Sequence, residues 1–327
     1  MVILSNQTQT QAPQGASRLR QAWHFNRLLT ISTVFHAILI LVGLAGIALD
    51  SRIILNAPIW AKTTKFAISI TLYSATLLWM LTYMKSRPRL AQFIASSSGA
   101  IMLIEIAVVL VQNILRSVPA HYNVATPFDG VMWSIMGTSI VAVWVINFIA
   151  GMVLLFEKMP NPVLGWGIRL GLLIALVGMA LAFTMTSPNT TQMAALQSGQ
   201  TVALIGAHNV NALVDGQSRM IPFLGWNMDG GDLRIAHFIG LHAMQVLPLL
   251  ALFLLRRMPK LSQSRNLALV WVGGLSYLSL MFLTLWQALR NQSIVAPDAM
   301  TLAALGGLTA IAIVATIVIV RSNPAYC

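Results

Sequence analysis

Polar residues capable of chemistry crowd the start of one apolar segment, GDLRIAHFIGLHAMQVLPLL, at positions 231–250. If the segment is helical, at about 100° per residue, His237 lies about 60° to one side of Arg234. His242 and Gln245 then lie about 80° and 20° to the other side of Arg234. One half of the helix carries these side chains, so we expect it to face the interior of a bundle. Asp232 falls on the far side, where we expect it to cap the helix.

A second polar stripe runs along another apolar segment. Ser98, Glu105 and Gln112 recur there every seven residues, and Arg116 comes four residues after Gln112. These spacings place the four side chains on one narrow face of a helix. A carboxyl group inside a membrane span is costly and indicates function. The alternative is a protonated or paired Glu105 that joins two helices by hydrogen bonds.

Two further regions bring ionisable groups to the same level of the bundle. In WAKTTKFAISITLY, Lys62, Lys65, Ser69 and Tyr73 share one helical face, and Lys65 could pair with Glu105 or Asp129. The turn RSVPAHYNVATPFDG adds His121 and Asp129, of which Asp129 could also be a simple helix cap. His208 stands in a long polar loop as a further candidate.

One interpretation of this cluster is an enzyme that acts on a lipid, a quinone or another apolar substrate. His237 or His121 would serve as acid or base, and Asp129 or Glu105 would orient it. Arg234 would hold an anionic group or a developing oxyanion. The sequence predicts no particular reaction.

A second interpretation is a redox protein that binds haem b or a divalent metal. His36 on the first span and His242 on the sixth both come near the predicted bilayer midplane, where they could bind haem. A metal could use His237 and His242, although five positions separate them by about 140° on a helix. Interior histidines that only donate and accept hydrogen bonds are the alternative. The single cysteine, Cys327, excludes a cysteine-based zinc site.

A third interpretation is a transporter or receptor for a small ligand, such as an anion, at an external vestibule. Glu105 would then relay a proton, as buried ionisable groups do in transport pathways. The residues assigned to ligand binding are Lys65, Gln112, Arg116, Gln245 and His208.

A subunit of a larger membrane complex, or a homo-oligomer, would instead use the polar cluster for assembly.

The composition identifies the elements that must position these side chains. Of 327 residues 57% are hydrophobic and only 9% charged, which is typical of a multi-pass membrane protein in a lipid bilayer. In that class a net charge of +12 indicates basic cytoplasmic loops, and we expect no nucleic acid partner. Apolar stretches of about 20 residues predict eight transmembrane helices, near residues 28–49, 61–84, 91–114, 129–155, 164–186, 233–255, 266–289 and 300–320.

The charge distribution predicts the orientation. With the N-terminus inside, most of the 20 basic residues fall on the cytoplasmic side, so both termini are predicted to be cytoplasmic. Most acids, among them Asp215, fall outside. The predicted organisation is a disordered cytoplasmic tail over 1–22, a transmembrane domain over 23–321 with a long external loop at 187–231, and a cytoplasmic tail over 322–327. The loop could form a lid over a polar pocket between spans two, three, four and six.

The motifs AHYNVATPFD and GGDLRIAHFIGLHAMQ, together with WAKTTKFAIS, resemble an uncharacterised family of bacterial multi-pass inner-membrane proteins. The resemblance covers most of the polar positions discussed above. It implies a location in the bacterial cytoplasmic membrane and transfers no activity.

Overall fold

The computed structural model describes residues 17–210 and 218–322. Within those ranges, eight helices are long and apolar enough to cross a membrane. The chain is therefore an all-α protein with the helical content of a multi-pass membrane protein. The helices in chain order are α1 (Arg18–Phe25), α2 (Arg27–Leu49), α3 (Ile59–Leu81), α4 (Pro88–Val109), α5 (Pro127–Phe156), α6 (Pro162–Leu181), α7 (Thr190–Gln197), α8 (Arg234–Arg257), α9 (Gln263–Leu289) and α10 (Ala299–Arg321).

All of these except α1 and α7 are the spanning helices, and each overlaps one of the eight apolar stretches predicted from the sequence. Two of them change geometry at one end: α4 continues as a π-helical turn, Leu110–Leu115, and α6 as a 3-10 turn, Ala182–Met185. The two ends of the bundle differ in their connections, because the long connection between α6 and α8 lies at one end. We call this the loop end.

Local sequence sets several helix starts. Three spanning helices, α4, α5 and α6, begin with proline, whose missing N–H costs nothing in the first turn of a helix. Asn26 precedes α2, accepts the Leu29 N–H at 2.9 Å and donates to Ser96 at 2.8 Å, so this cap also ties α2 to α4. Asp298 caps α10 in the same way by accepting the Thr301 N–H at 2.8 Å.

The predicted disordered tail over 1–22 is wrong for its last residues, because α1 begins at Arg18. The side chains of Ala22 and Phe25 pack against the core cluster that contains Leu29 and Leu77, and this contact stabilises the short helix. Residues 1–16 and 323–327 lie outside the described residues, as does Asp215 of the loop.

Two small features complete the loop end. Strands β1 (Ile53–Ile54) and β2 (Ala57–Pro58) form an antiparallel hairpin whose two turn residues, Leu55 and Asn56, both have positive φ, at 50° and 58°. This geometry matches the right-handed twist of the strands. Within the loop, α7 starts with a capping box between Asn189 and Gln192, and Gln192 also donates to the Gly206 carbonyl.

Among the described residues, helices α6 and α8 make the most extensive contact in the bundle. A Cβ atom on Gly178 would lie 2.5 Å from the Cα of Gly240, so only glycine allows the two backbones to approach this closely. By contrast α10 packs along α9, and most of its side chains remain exposed. Helix α6 is thus central in the bundle, whereas α10 is peripheral.

Candidate functional site

A cavity of about 690 Å³ opens at the loop end. Its walls come from α3, α4, α5, the end of α6 and α8, and loop residues cover part of it. Most lining side chains are apolar, and this is the character of a site for an apolar small molecule. Eight of the predicted site residues line it: Lys65, Glu105, His121, His208, Arg234, His237, His242 and Gln245. The predicted face of Lys62, Lys65, Ser69 and Tyr73 also lines it in full.

Glu105 lies in the wall formed by α4. The residue is 1% exposed, and neither carboxyl oxygen has a hydrogen-bond partner within the described ranges. Burying a charged carboxylate without a partner costs roughly several kcal/mol. A carboxyl group in this position therefore needs either a proton or a ligand. The alternative that Glu105 joins two helices by hydrogen bonds therefore does not fit its position in the structure.

His237 is held in one orientation by the contact between α6 and α8. Its Nδ1 lies 2.7 Å from the carbonyl oxygen of Gly178. A carbonyl only accepts, so in the neutral ring Nδ1 carries the hydrogen and Nε2 carries the lone pair. The side chain lines the cavity, where Nε2 is the atom able to accept a proton.

An aromatic cluster forms the wall below the loop. The Tyr122 ring lies 4.9 Å from that of Trp133 and 5.0 Å from that of His208, and His121 packs 5.2 Å from Phe66. Tyr122 has a φ of 61°, a conformation that costs energy in a residue with a bulky side chain. Gly206 packs against this ring, and a Cβ atom there would lie 2.8 Å from it.

The stripe predicted on the third span is only partly correct. Glu105 lines the cavity, but Gln112 and Arg116 turn towards the start of α5, where both side chains bond Asp129. The π-helical turn is the reason, because its wider spacing changes the direction of side chains beyond Val109. Asn113 takes the place of Gln112 in the lining.

Asp129 is consequently a structural residue in this arrangement. It accepts hydrogen bonds from Gln112 at 2.8 Å and Thr126 at 2.6 Å, and it pairs with Arg116. The Arg116 guanidinium also lies 4.7 Å from the centre of the Phe128 ring. Neither Asp129 nor Arg116 is among the cavity-lining residues.

The long loop reaches over the cavity, and two cations hold it there. The Lys65 ammonium donates to the Leu224 carbonyl at 2.7 Å, and Arg234 donates to the Gly225 carbonyl at 2.5 Å. Both bonds fix the turn at residues 221–226, which we call the lid turn. At its base Arg219 donates to Asp229 at 2.8 Å and keeps the pKa of that carboxyl below its ordinary value.

Asp232 and Arg234 form a close ion pair, which corrects the prediction that they lie on opposite sides. The Arg234 Nη2 is 2.6 Å from Asp232 Oδ2. The N-cap residue of α8 is Leu233 and not Asp232 as predicted, although Asp232 accepts the Arg234 N–H at 3.0 Å and the Asn227 N–H at 2.8 Å. Arg234 thus joins the helix start to the lid turn and does not point at Glu105.

His36 is buried in α2, where its Nδ1 lies 2.6 Å from the Ser32 carbonyl. It is not part of the cavity lining, whereas His242 is, so the structure does not bring this predicted pair of haem ligands to one site. Across residues 17–210 and 218–322 no three His, Cys, Asp or Glu side chains are grouped closely enough to hold a metal ion. The geometry gives the haem and metal hypotheses no support.

The cavity lining also contains residues that no sequence pattern indicated, among them Asn113, Tyr122 and Trp133. The position of Asn113 depends on the π-helical turn, and that of Tyr122 depends on its positive φ. No residue pattern indicates either feature. Comparison of the chain with protein-family models, with curated proteins and with solved structures gives no match.

Proposed function

We propose that this protein binds an apolar, lipid-like small molecule in the loop-end cavity and exchanges protons with it, as a membrane-embedded enzyme does. The observation that carries the proposal is Glu105, a buried carboxyl group without a hydrogen-bond partner in the described part of the chain, in the wall of a mostly apolar cavity. Such a group in a concave site is a functional candidate.

The proposed roles follow from the atoms that line the cavity. Glu105 would donate or accept a proton at the substrate, and His237 would act as its counterpart through Nε2, since Nδ1 is bonded to Gly178. His121 lies in the same lining and is a second acid–base candidate. Lys65 and Arg234 hold the lid turn and would exclude water from the reaction.

Transport is less well supported. Towards the other end of the bundle the spanning helices meet in a cluster of buried apolar side chains that includes Leu77, Met84, Ile94, Leu154 and Leu172. A conducted polar ligand would have to cross this cluster. A cavity with access from one end suits a binding or catalytic site better.

Two glycines of α5 provide a matched test. Gly137 lines the cavity and Gly130 does not, and a Cβ atom at either position would meet no other atom within 4 Å. Gly137→Leu should therefore fill the cavity, whereas Gly130→Leu adds the same side chain to the same helix outside it. The reagent is dicyclohexylcarbodiimide, an apolar compound that couples to protonated carboxyl groups in apolar surroundings.

The measurement is the extent of modification at Glu105, found by peptide mass spectrometry of the purified protein in lipid nanodiscs. We expect modification in the wild type and in Gly130→Leu, and strongly reduced modification in Gly137→Leu. Glu105→Gln identifies the modified site. Equal modification in both glycine variants would contradict the proposal, as would an unreactive Glu105 in the wild type.

We also propose that the protein resides in a bacterial cytoplasmic membrane with the loop end outside. The excess of basic residues at the opposite end supports this orientation.

A further inference from the structure

We infer that the molecule bound in the cavity carries a neutral hydrogen-bond donor, a hydroxyl group, at its buried end and an apolar body. This inference rests on the proposed function, because it names the ligand chemistry of the same cavity. It differs from the anionic ligand considered from the sequence. The acceptor atoms in the cavity wall carry the argument.

The deep wall presents acceptors that lack donors. Both oxygens of Glu105 and the Oε1 of Gln245 are buried and have no hydrogen-bond partner among the described residues. The orientation of the Gln245 amide is determined, since its Nε2 lies 3.5 Å from the Leu72 carbonyl, which can only accept, and 3.2 Å from the Thr76 hydroxyl. The amide oxygen is thus the atom left over.

These acceptors lie at similar depth on two helices. Glu105 precedes the end of the π-helical turn at Leu115 by about 15 Å of helix, and Gln245 follows the start of α8 by about 16 Å. Nearer the mouth, the Oδ1 of Asn113 is a further buried acceptor without a partner in the described ranges. A buried acceptor left unsatisfied costs about 1–3 kcal/mol, so a donor on the ligand has a large effect.

An anionic group is disfavoured at the buried end. It would face the same acceptors, and two of the three lining cations, Lys65 and Arg234, already make hydrogen bonds nearer the mouth. Lys65 donates to Leu224, and Arg234 is bonded to Asp232 and Gly225. An anion would have to break these bonds before it could pair with either cation.

A cationic donor is disfavoured for a different reason. The charged residues that line the cavity are three cations, Lys62, Lys65 and Arg234, and one acid, Glu105. An ammonium group would have to enter past like charges. A hydroxyl group satisfies the deep acceptors without this repulsion, and its oxygen can also accept a hydrogen bond from the O–H of a neutral Glu105.

The test compares four compounds with the same chain: 1-octanol, octylamine, octanoate and methyl octanoate. Binding is measured from the melting temperature of the full-length protein in lipid nanodiscs, followed by tryptophan fluorescence. We expect 1-octanol to bind about tenfold more tightly than methyl octanoate, which has no donor, as befits one buried hydrogen bond. We expect weaker binding of octylamine and octanoate than of 1-octanol.

Variants assign the preference to the acceptors. Glu105→Leu and, independently, Gln245→Leu should weaken 1-octanol binding and leave methyl octanoate unchanged, and a preference that persists in both would overturn the inference. Tightest binding of octylamine, octanoate or methyl octanoate would also overturn it. Failure of the proposed function would give a different result. All four compounds would then shift the melting temperatures of the wild type and of Gly137→Leu equally.

Discussion

The Nζ atom of Lys65 donates to the carbonyl oxygen of Leu224 at 2.7 Å, across 159 positions of the chain. The bond joins the second spanning helix to the lid turn, and Arg234 makes a matching bond to the adjacent carbonyl of Gly225. Main-chain acceptors on the lid turn thus meet side-chain donors on two helices. These two bonds hold the lid turn through its main chain.

Removal of the Lys65 donor should make the cavity easier to enter. In Lys65→Met the lid turn loses a hydrogen bond, whose net value is about 0.5–1.5 kcal/mol, and so opens about 2–10 times more often. The rate of carbodiimide modification at Glu105 should rise by a similar factor. Lys85→Met, at the other end of the bundle, is the control, and equal rates in the two variants would argue against a gating role.

The contact between Gly178 and Gly240 should tolerate no larger side chain. A Cβ atom on Gly240 would lie 2.4 Å from the Gly178 Cα and 2.8 Å from the Met281 sulfur. Gly240→Ala should lower the free energy of unfolding by about 1–3 kcal/mol, because α6 and α8 must separate. The control is Gly306→Ala in α10, where a Cβ atom meets nothing within 4 Å, and which should be neutral or stabilising by up to about 1 kcal/mol. Thermal unfolding in nanodiscs measures both; similar losses would contradict the packing argument.

The sequence was sufficient to predict the spanning helices, because hydropathy and length depend on local composition alone. The third span, predicted over 91–114, is the run Pro88–Leu115. Proline and the capping residues account for several of the helix starts. The predicted ends of the spanning helices therefore agree with the observed ends within a few positions. Helical periodicity also predicted that Lys62, Lys65, Ser69 and Tyr73 share a face, and all four line the cavity.

Contacts between distant segments were not predictable in the same way. Regular helical periodicity placed Gln112 beside Glu105, but the π-helical turn carries Gln112 to Asp129. Periodicity likewise separated Asp232 from Arg234, since it treats both as helical, whereas α8 begins only at Arg234. The lid turn depends on backbone carbonyls, which every residue carries, so no sequence pattern identifies them as partners.

The start of α10 should show an acid-dependent contribution to stability. Asp298 pairs with Arg290, and this hydrogen bond, together with the Thr301 N–H, lowers the pKa of the carboxyl from its ordinary value of 3.8. A carboxyl group with a lowered pKa in the folded state stabilises the protein above the unfolded pKa. That contribution is lost as the pH falls below 3.8.

Asp298→Asn isolates this effect, because asparagine still caps the helix but carries no charge. The melting temperature of the variant should lie below that of the wild type by a constant amount at pH 7 and pH 5. The difference should shrink at pH 3. A difference that grows on acidification would show that the Arg290 pair does not stabilise the ionised form.

The single cysteine permits a direct test of the predicted orientation. Cys327 is the last residue of the chain, and the positive-inside rule places it in the cytoplasm. A membrane-impermeant maleimide should therefore label the protein only after the cells are permeabilised. In a Cys327→Ser background, Ser198→Cys introduces a thiol at an exposed position after α7, at the loop end, and intact cells should label it. The reverse pattern would place the cavity on the cytoplasmic side, and the ligand would then have to be sought in the cell interior.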